Sequence, residues 1–206
     1  MKTVGGLLLA AGRSSRMPEG CHKLLAEFDR IPLIRKSAET MLHSDLGSVT
    51  VVTGHRSSEI EMALNGLPLL TTYNKNFIQG MGTSLACGFR HASLADYRGV
   101  LVMLADMPEI TTSHINELLA AFQSSKAVVV RGSAGEKPGH PVIVPSALFP
   151  HMRKLDGDQG AKEVLQRRQL PVQMIDIGKA ALRDIDTIGD MISAGGSFAA
   201  TASNWS

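Results

Sequence analysis

Short apolar runs alternate with helical stripes of apolar residues over most of the chain. Several runs consist almost entirely of Val, Leu and Ile, which is typical of strands that are covered on both faces. They predict strands at residues 3–9, 48–53, 67–72, 100–104, 127–131, 141–144 and 172–175. Between them, apolar residues spaced three and four apart predict helices that begin near residues 32, 57, 83, 112 and 160.

This alternation predicts an α/β fold. Strands separated by single helices form right-handed βαβ units, so we expect a three-layer α/β/α sandwich around a mostly parallel, Rossmann-like twisted sheet. The pattern loosens after Arg131, where a Pro-Gly-His-Pro turn predicts an antiparallel excursion on the same sheet. In such folds ligands bind beyond the carboxyl ends of the strands.

The chain reads as one domain with a short tail. Residues 1–193 carry the periodic pattern, whereas residues 194–206 are mostly small and polar. Such residues bury too little apolar surface to offset the entropy of ordering, so we expect a flexible tail.

Composition narrows the class of protein. The 206 residues are 44% hydrophobic with a formal net charge of +2, which gives no basic face for nucleic acid. Cys21 and Cys87 lack metal-ligand spacing and favour free thiols in a reducing compartment. We see neither a signal peptide nor an apolar span of 18 residues, and therefore expect a cytoplasmic protein with no membrane or nucleic-acid partner.

The first predicted strand runs into a loop that contains glycines and three cations, Arg13, Arg16 and Lys23. Glycines let backbone amides approach a polyphosphate, and the cations supply charge-assisted hydrogen bonds. The loop is neither a Walker A motif nor a dinucleotide fingerprint. A solvated loop that happens to carry three cations is the alternative.

Asp106 ends the apolar strand at residues 100–104 and so falls at the same edge of the sheet. One or two protein carboxylates plus substrate phosphates are what Mg²⁺ typically uses. A helix N-cap is the alternative, but Thr112 or Ser113 would cap the following helix better.

Other polar motifs leave both functional and structural roles open. Asp184 and Asp186 share one face by alternation, yet they could belong to an exposed acidic loop before a helix capped by Thr187. Thr83 and Ser84 could present free amides and hydroxyls to a base or sugar, or only cap a helix. His140 and Asp158 are, on the residues alone, more simply structural than functional.

Six motifs in order resemble a known family. They are LAAGRSSRM with a following lysine (residues 9–23), GMGTSL (80–85), LADMP (104–108), GHPV (139–142), LDGDQGAK (155–162) and DIDT (184–187). The chain resembles the MobA-like nucleotidyltransferases over residues 3–192, and most closely their molybdenum cofactor cytidylyltransferase branch. The resemblance implies a fold of the nucleotide-diphospho-sugar transferase type.

The resemblance also implies roles for particular residues. Arg16, Lys23 and Asp106 would be catalytic, and Asp106 and Asp186 would hold Mg²⁺. His140 and Asp158 would lie where the family approaches its pterin substrate. The nucleotide-binding positions would be Leu9, Ala10, Ala11, Gly12, Arg13, Gly82, Thr83 and Ser84.

The implied reaction is transfer of CMP from CTP to molybdopterin cofactor with release of pyrophosphate. Ala11 favours CTP, because LAAG is similar to the cytidylyl type and a methyl group there would leave less room for a purine. A molybdenum hydroxylase is the implied recipient. Alternatives are a guanylyltransferase, a cytidylyltransferase for a sugar or polyol phosphate, and a non-catalytic carrier of the cofactor.

Overall fold

The computed structural model describes residues 3–124, 129–158, 160, 164 and 170–198. Seven predicted strands are present with shifts of a few residues at their ends, and three short strands come in addition. The strands are β1 (Val4–Ala10), β2 (Glu27–Phe28), β3 (Ile31–Pro32), β4 (Val49–Thr53), β5 (Leu70–Tyr73), β6 (Gly99–Leu104), β7 (Val129–Ala134), β8 (Lys137–Pro145), β9 (Val172–Asp176) and β10 (Gly196–Ser197).

Helices fill the segments between the strands. Those in the described residues are α1 (Leu33–Leu42), α2 (Ser57–Ala63), α3 (Met81–Arg90), α4 (Thr112–Ser124), α5 (Phe149–Met152) and α6 (Ile188–Ser193). The helix predicted from about residue 160 falls largely outside the described residues. Among the helices described, none combines the length and the apolar character that crossing a membrane would need.

The main sheet has seven strands in the order β5-β4-β1-β6-β8-β7-β9. β1 pairs in parallel with β4 and β6, and β4 with β5. β8 runs antiparallel to both β6 and β7, which is the excursion predicted after Arg131. The fold prediction of a mostly parallel sheet is therefore confirmed.

Helices pack through apolar residues on both faces of this sheet. The domain therefore has three layers, with the sheet between two layers of helices. Alternate residues of β1 point to opposite cores: Leu8 packs with the residues of α1, α2 and α4, whereas Leu7 and Leu9 pack with those of α3 and α5. This explains why β1 reads as a continuous apolar run, since every one of its residues is buried.

A second, smaller sheet combines β10 with two short strands that follow the loop after β1. β2 pairs with β3 and with β10, so that Gly196 lies opposite Phe28. The ordered chain therefore continues past the boundary predicted at residue 193. Residues 199–206 lie outside the described part of the chain, and their flexibility stays a prediction.

Candidate active site

A cavity of about 480 Å³ lies beyond the carboxyl ends of β1 and β6. This is the edge at which an open α/β sheet normally binds ligands. Its lining includes ten of the residues predicted for the site: Leu9, Ala10, Ala11, Gly12, Arg13, Arg16, Lys23, Ser84, Asp106 and Asp186.

Lys23 is the centre of the ionic network in this cavity. Its ammonium Nζ lies 2.6 Å from Oδ2 of Asp106 and 3.2 Å from Oδ1 of Asp186. The Arg16 guanidinium contacts the other oxygen of Asp186. The four residues that the sequence proposes for catalysis and metal binding thus lie in one contiguous cluster, although Arg16 is 170 positions from Asp186.

Asp184 and Asp186 reach the cluster because the residue between them is anchored. The backbone N–H of Ile185 donates to the carbonyl of Asp106 at 2.9 Å, and the Ile185 side chain is buried. Immediately before this segment, Arg183 pairs with Glu109 at 2.6 Å. This hydrogen bond holds Ile185 against the segment that follows β6. Asp184 and Asp186, its two neighbours in the chain, are thereby placed beside Asp106.

The helix after this segment is capped as the structural alternative predicted. Thr187 and Asp190 form a capping box in which the Thr187 side chain accepts from the Asp190 N–H and the Asp190 carboxylate accepts from the Thr187 N–H. Asp190 therefore serves α6, while Asp184 and Asp186 face the cavity.

The charges in the cluster compensate one another. Burial by itself would lower the pKa of Lys23, but the adjacent Asp106 and Asp186 outweigh it and the pKa is raised. Partial burial would raise the pKa of Asp186, yet Lys23 and Arg16 overcome this and lower it. Burial, together with the charges of Asp106 and Asp186, raises the pKa of Asp184, although its own backbone N–H and the charge of Lys23 act in the opposite direction.

The three aspartates fit a hard divalent cation. Asp106, Asp184 and Asp186 can each offer an oxygen, and these oxygens lie within 4.8 Å of one another. In addition, Oδ1 of Asp106 is buried and has no hydrogen-bond partner among the described residues. Carboxylate oxygens are the ligands that Mg²⁺ and Mn²⁺ prefer.

Ser14 shapes the loop that follows β1. Its backbone has a φ of 55°, in the left-handed region, and its carbonyl accepts from the Met17 N–H at 2.9 Å. Its hydroxyl accepts from the Lys23 N–H at 3.2 Å. The backbone N–H groups of residues 12–16 donate to no other described residue, which leaves them available to an anion.

His22 holds the base of the same loop. The ring is only 2% exposed; Nδ1 accepts from the Leu24 N–H at 3.3 Å, and Nε2 lies 3.2 Å from the Gly12 carbonyl. A neutral imidazole with its proton on Nε2 satisfies both contacts. Burial lowers the pKa of His22 to about 4, and the nearby charges of Arg56 and Lys23 act in the same direction.

We expect the folded chain to lose about 2 kcal/mol of stability between pH 7 and pH 5 through His22 alone. In the unfolded chain this histidine titrates near 6.5 and in the folded chain near 4, so only the unfolded chain takes up the proton between these values. Stability therefore falls as the pH falls through that window. Urea unfolding at several pH values measures the slope.

The pKa of His140 is also lowered to about 4, so His140 should add a second loss of stability as the pH falls. His22→Asn should therefore flatten the slope only in part. The control is His43→Asn, at an exposed histidine just after α1. A slope that is unchanged in His22→Asn would contradict the assignment.

Part of the cavity lining is formed by small residues at points of close packing, Ala11 and Gly80. Ala11 is buried, and a Cβ on Gly54 would lie 2.8 Å from the Ala11 Cβ. Gly80 has a φ of 120°, and a Cβ there would collide with the Asp158 carboxylate and the Gly157 carbonyl. Both glycines are required by close approach of the chain, and the Gly80 backbone lines the cavity.

Thr83 and Ser84 lie inside α3 rather than at its cap, because the helix begins at Met81. Both hydroxyls accept from the buried Asn74 amide, at 2.9 and 3.0 Å. Ser84 also lines the cavity, whereas Thr83 faces a separate groove beside β5. Gly82 is buried, donates its N–H to the Gly157 carbonyl and does not line the cavity.

His140 and Asp158 do not line the cavity, but each is near a residue that does: the charge of Asp184 acts on His140, and Asp158 lies against Gly80. His140 is largely buried; burial and the Arg131 charge lower its pKa, while a hydrogen bond to the backbone of Val102 and the charge of Asp184 oppose this. Asp158 is exposed and packs over Gly80. Their contact with a second substrate stays a prediction.

Sequence reasoning missed several residues of the site. Asp184 could have been included, because the alternation that selected Asp186 selects it equally. Gly80 precedes a helix in a Gly-Met-Gly motif, which is a signal for close backbone approach. Nothing in the local sequence distinguishes His22 or Phe77, which also lines the cavity, from ordinary loop residues.

The fold and the cavity together define a nucleotidyltransferase: a basic loop after β1 faces a carboxylate cluster at the end of β6. The chain belongs to the MobA-like NTP transferase domain family, whose model matches residues 6–172. The family membership implied by the six sequence motifs is thus confirmed.

Two proteins of similar sequence and one solved structure are similar to this chain over most of its length. The purine catabolism protein PucB of Bacillus subtilis is 33% identical over 191 residues, which cover 88% of this chain and 91% of PucB. Nicotine blue oxidoreductase of Paenarthrobacter nicotinovorans is 29% identical over 195 residues, or 91% of this chain and 94% of that protein. A nucleotidyl transferase from Methanothermobacter has the same fold, with a TM-score of 0.81 at 20% identity over 95% of this chain and 97% of that one. The fold is that of the nucleotide-diphospho-sugar transferases.

Proposed function

We propose that this nucleotidyltransferase transfers CMP from CTP to the terminal phosphate of molybdopterin cofactor and releases pyrophosphate. The observation that carries the proposal is the contact of Lys23 with both Asp106 and Asp186 in one cavity. It joins the phosphate-binding loop to the metal-binding carboxylates, as a reaction on a metal-bound triphosphate requires.

No protein nucleophile is needed for this reaction. An oxygen of the acceptor phosphate attacks the α-phosphorus in line, and pyrophosphate leaves with the electron pair of the broken P–O bond. Catalysis then consists of positioning and charge neutralisation. Arg16 and Lys23 neutralise the departing pyrophosphate, and the backbone amides of residues 12–16 orient the phosphates.

Asp106 and Asp186 would hold Mg²⁺, with Asp184 close enough to contribute. When bound, the metal supplies positive charge to the phosphate oxygens and so lowers the barrier. Oδ1 of Asp106 supports this role, because it is buried and no described residue donates a hydrogen bond to it.

Two features support CTP as the nucleotide. Ala11 places a methyl group in the cavity lining. Gly54 packs closely against Ala11, so the methyl group cannot shift toward Gly54 to make space. We expect this packing to leave less room for a purine than for a pyrimidine. The LAAG motif itself resembles that of cytidylyltransferases.

Two sequence motifs, and the position of their residues near the cavity, support molybdopterin cofactor as the acceptor. Molybdopterin is the substrate implied by GHPV and GDQGA, and His140 and Asp158 from these motifs lie near residues that line the cavity. The redox activity named for the Paenarthrobacter relative is not carried over, because the groups that meet here are cations and carboxylates suited to a triphosphate and a metal.

CTP with Mg²⁺ should stabilise the protein more than GTP, ATP or UTP. A nucleotide held at a hundred times its dissociation constant adds ~2.7 kcal/mol to the free energy of unfolding. Thermal unfolding with each nucleotide, with and without Mg²⁺, measures this. Equal shifts with all four nucleotides, or none, would rule out the proposed selectivity.

Pyrophosphate release then decides the acceptor. Molybdopterin cofactor should support release with CTP, whereas sugar and polyol phosphates should not. Release with GTP instead would identify a guanylyltransferase. Binding of the cofactor without any release would identify a carrier protein.

A further inference from the structure

Lys23 and Arg16 already occupy three of the carboxylate oxygens in the cluster that a divalent cation could use, namely Oδ2 of Asp106 and both oxygens of Asp186. Lys23 Nζ takes one oxygen of Asp106 and one of Asp186, and Arg16 takes the second oxygen of Asp186. Both oxygens of Asp186 are therefore engaged by basic side chains of the protein itself.

These contacts compete with a metal for space and for charge. Mg²⁺ binds oxygen ligands at about 2.0–2.1 Å with near-octahedral geometry, which leaves no room for an ammonium on the same oxygen lone pairs. The Lys23 side chain is only 14% exposed, so little water screens its charge from an incoming cation.

The geometry also shows how the competition can be relieved. The Lys23 backbone is fixed by the Ser14 hydroxyl, but its long side chain can turn without disturbing that bond. The Arg16 side chain is 66% exposed and has solvent to move into. A triphosphate in the cavity carries more negative charge than these carboxylates and would draw both cations toward itself.

We infer that Lys23, assisted by Arg16, is an internal counter-ion that keeps a divalent cation out of the aspartate cluster until a nucleoside triphosphate takes up both basic side chains. The inference rests on the proposed function in that the cluster is its metal site. It adds a regulation of that site: metal and triphosphate bind together, and each strengthens the binding of the other.

Binding of Mn²⁺ to the full chain without nucleotide tests the inference, with electron paramagnetic resonance to count free Mn²⁺. Lys23→Met, which keeps the length of the side chain and removes its charge, should bind Mn²⁺ at least about tenfold more tightly than the wild type. A neighbouring positive charge lowers the affinity of a carboxylate for a proton by about one to three orders of magnitude, and we expect the same repulsion to act on Mn²⁺. Lys23→Arg should stay close to the wild type.

Lys36→Met is the matched control, because Lys36 pairs at 3.3 Å with the exposed Asp29 outside the cavity. Its affinity for Mn²⁺ should equal that of the wild type. Arg16→Met is the second variant, and its affinity for Mn²⁺ should also rise. If circular dichroism shows that Lys23→Met does not fold, Arg16→Met provides the test.

An Mn²⁺ affinity that is the same in the wild type and in Lys23→Met overturns the inference, whether that affinity is high or low. A second arm adds CTP to the wild type, with the association of Mn²⁺ and CTP measured separately and subtracted. An affinity of the protein for Mn²⁺ that does not rise with CTP overturns the coupling to the triphosphate.

A different measurement, pyrophosphate release, tests the proposed function. That function is overturned if no nucleotide gives pyrophosphate release, whatever the metal titration shows. Conversely, a wild type that releases pyrophosphate while Lys23→Met binds Mn²⁺ no more tightly would overturn the counter-ion inference alone.

Discussion

Asp106→Asn is expected to lower turnover by about a thousandfold, ~4 kcal/mol of transition-state stabilisation, while the fold is retained. Asn cannot supply the negative charge that holds a divalent cation beside the phosphates. Stability should change little, because Lys23 keeps Asp186 as a partner and the repulsion among the three aspartates is relieved. Steady-state pyrophosphate release measures turnover, and urea unfolding measures stability.

Asp96→Asn is the matched control for this variant. Asp96 is exposed and precedes β6, at the opposite end of the strand from Asp106, so its substitution should leave turnover unchanged. Activity close to the wild type in Asp106→Asn would remove the metal assignment. Equal losses in both variants would point to a general effect of charge.

Lys23→Ala is expected to lower kcat/KM by about a hundredfold, ~3 kcal/mol, because a charge-assisted contact to the departing pyrophosphate is lost. Binding of the triphosphate should weaken as well. Kinetics at several CTP concentrations measure kcat and KM separately, and a fluorescent nucleotide measures affinity directly.

Lys36→Ala provides the comparison, since Lys36 lies on the surface of α1, pairs with the exposed Asp29 and lies over the Phe28 ring, outside the cavity. It should retain both kcat/KM and triphosphate affinity. Unchanged triphosphate binding in Lys23→Ala would overturn the role given to the loop, even if turnover fell.

Much of the site could be found from sequence because it lies at strand ends. The loop with Arg16 and Lys23 follows β1, and Asp106 follows β6, two neighbouring parallel strands whose carboxyl ends meet at one edge. Periodicity identified both strands, so the approach of these residues to each other followed from topology alone.

One prediction that rested on local chemistry, the start of α3, was wrong by two residues. Thr83 and Ser84 fit the composition of a helix cap, but α3 begins two residues earlier and Asn74 holds both hydroxyls. An N-cap preference amounts to about 1 kcal/mol and cannot fix the start of a helix against a buried hydrogen-bond network. Asn74 itself carries no signal in the sequence.

The sequence by itself determined the strands, most of the helices, the mostly parallel sheet and the edge at which the charged residues gather, because alternation and helical spacing are local properties of the chain. Only the tertiary structure decided that Lys23 meets Asp186, 163 positions away, that Asp184 joins the acidic cluster, and that His22 is buried and neutral. These contacts depend on single long-range bonds, such as that from Ile185 to Asp106, and no periodicity along the chain encodes them.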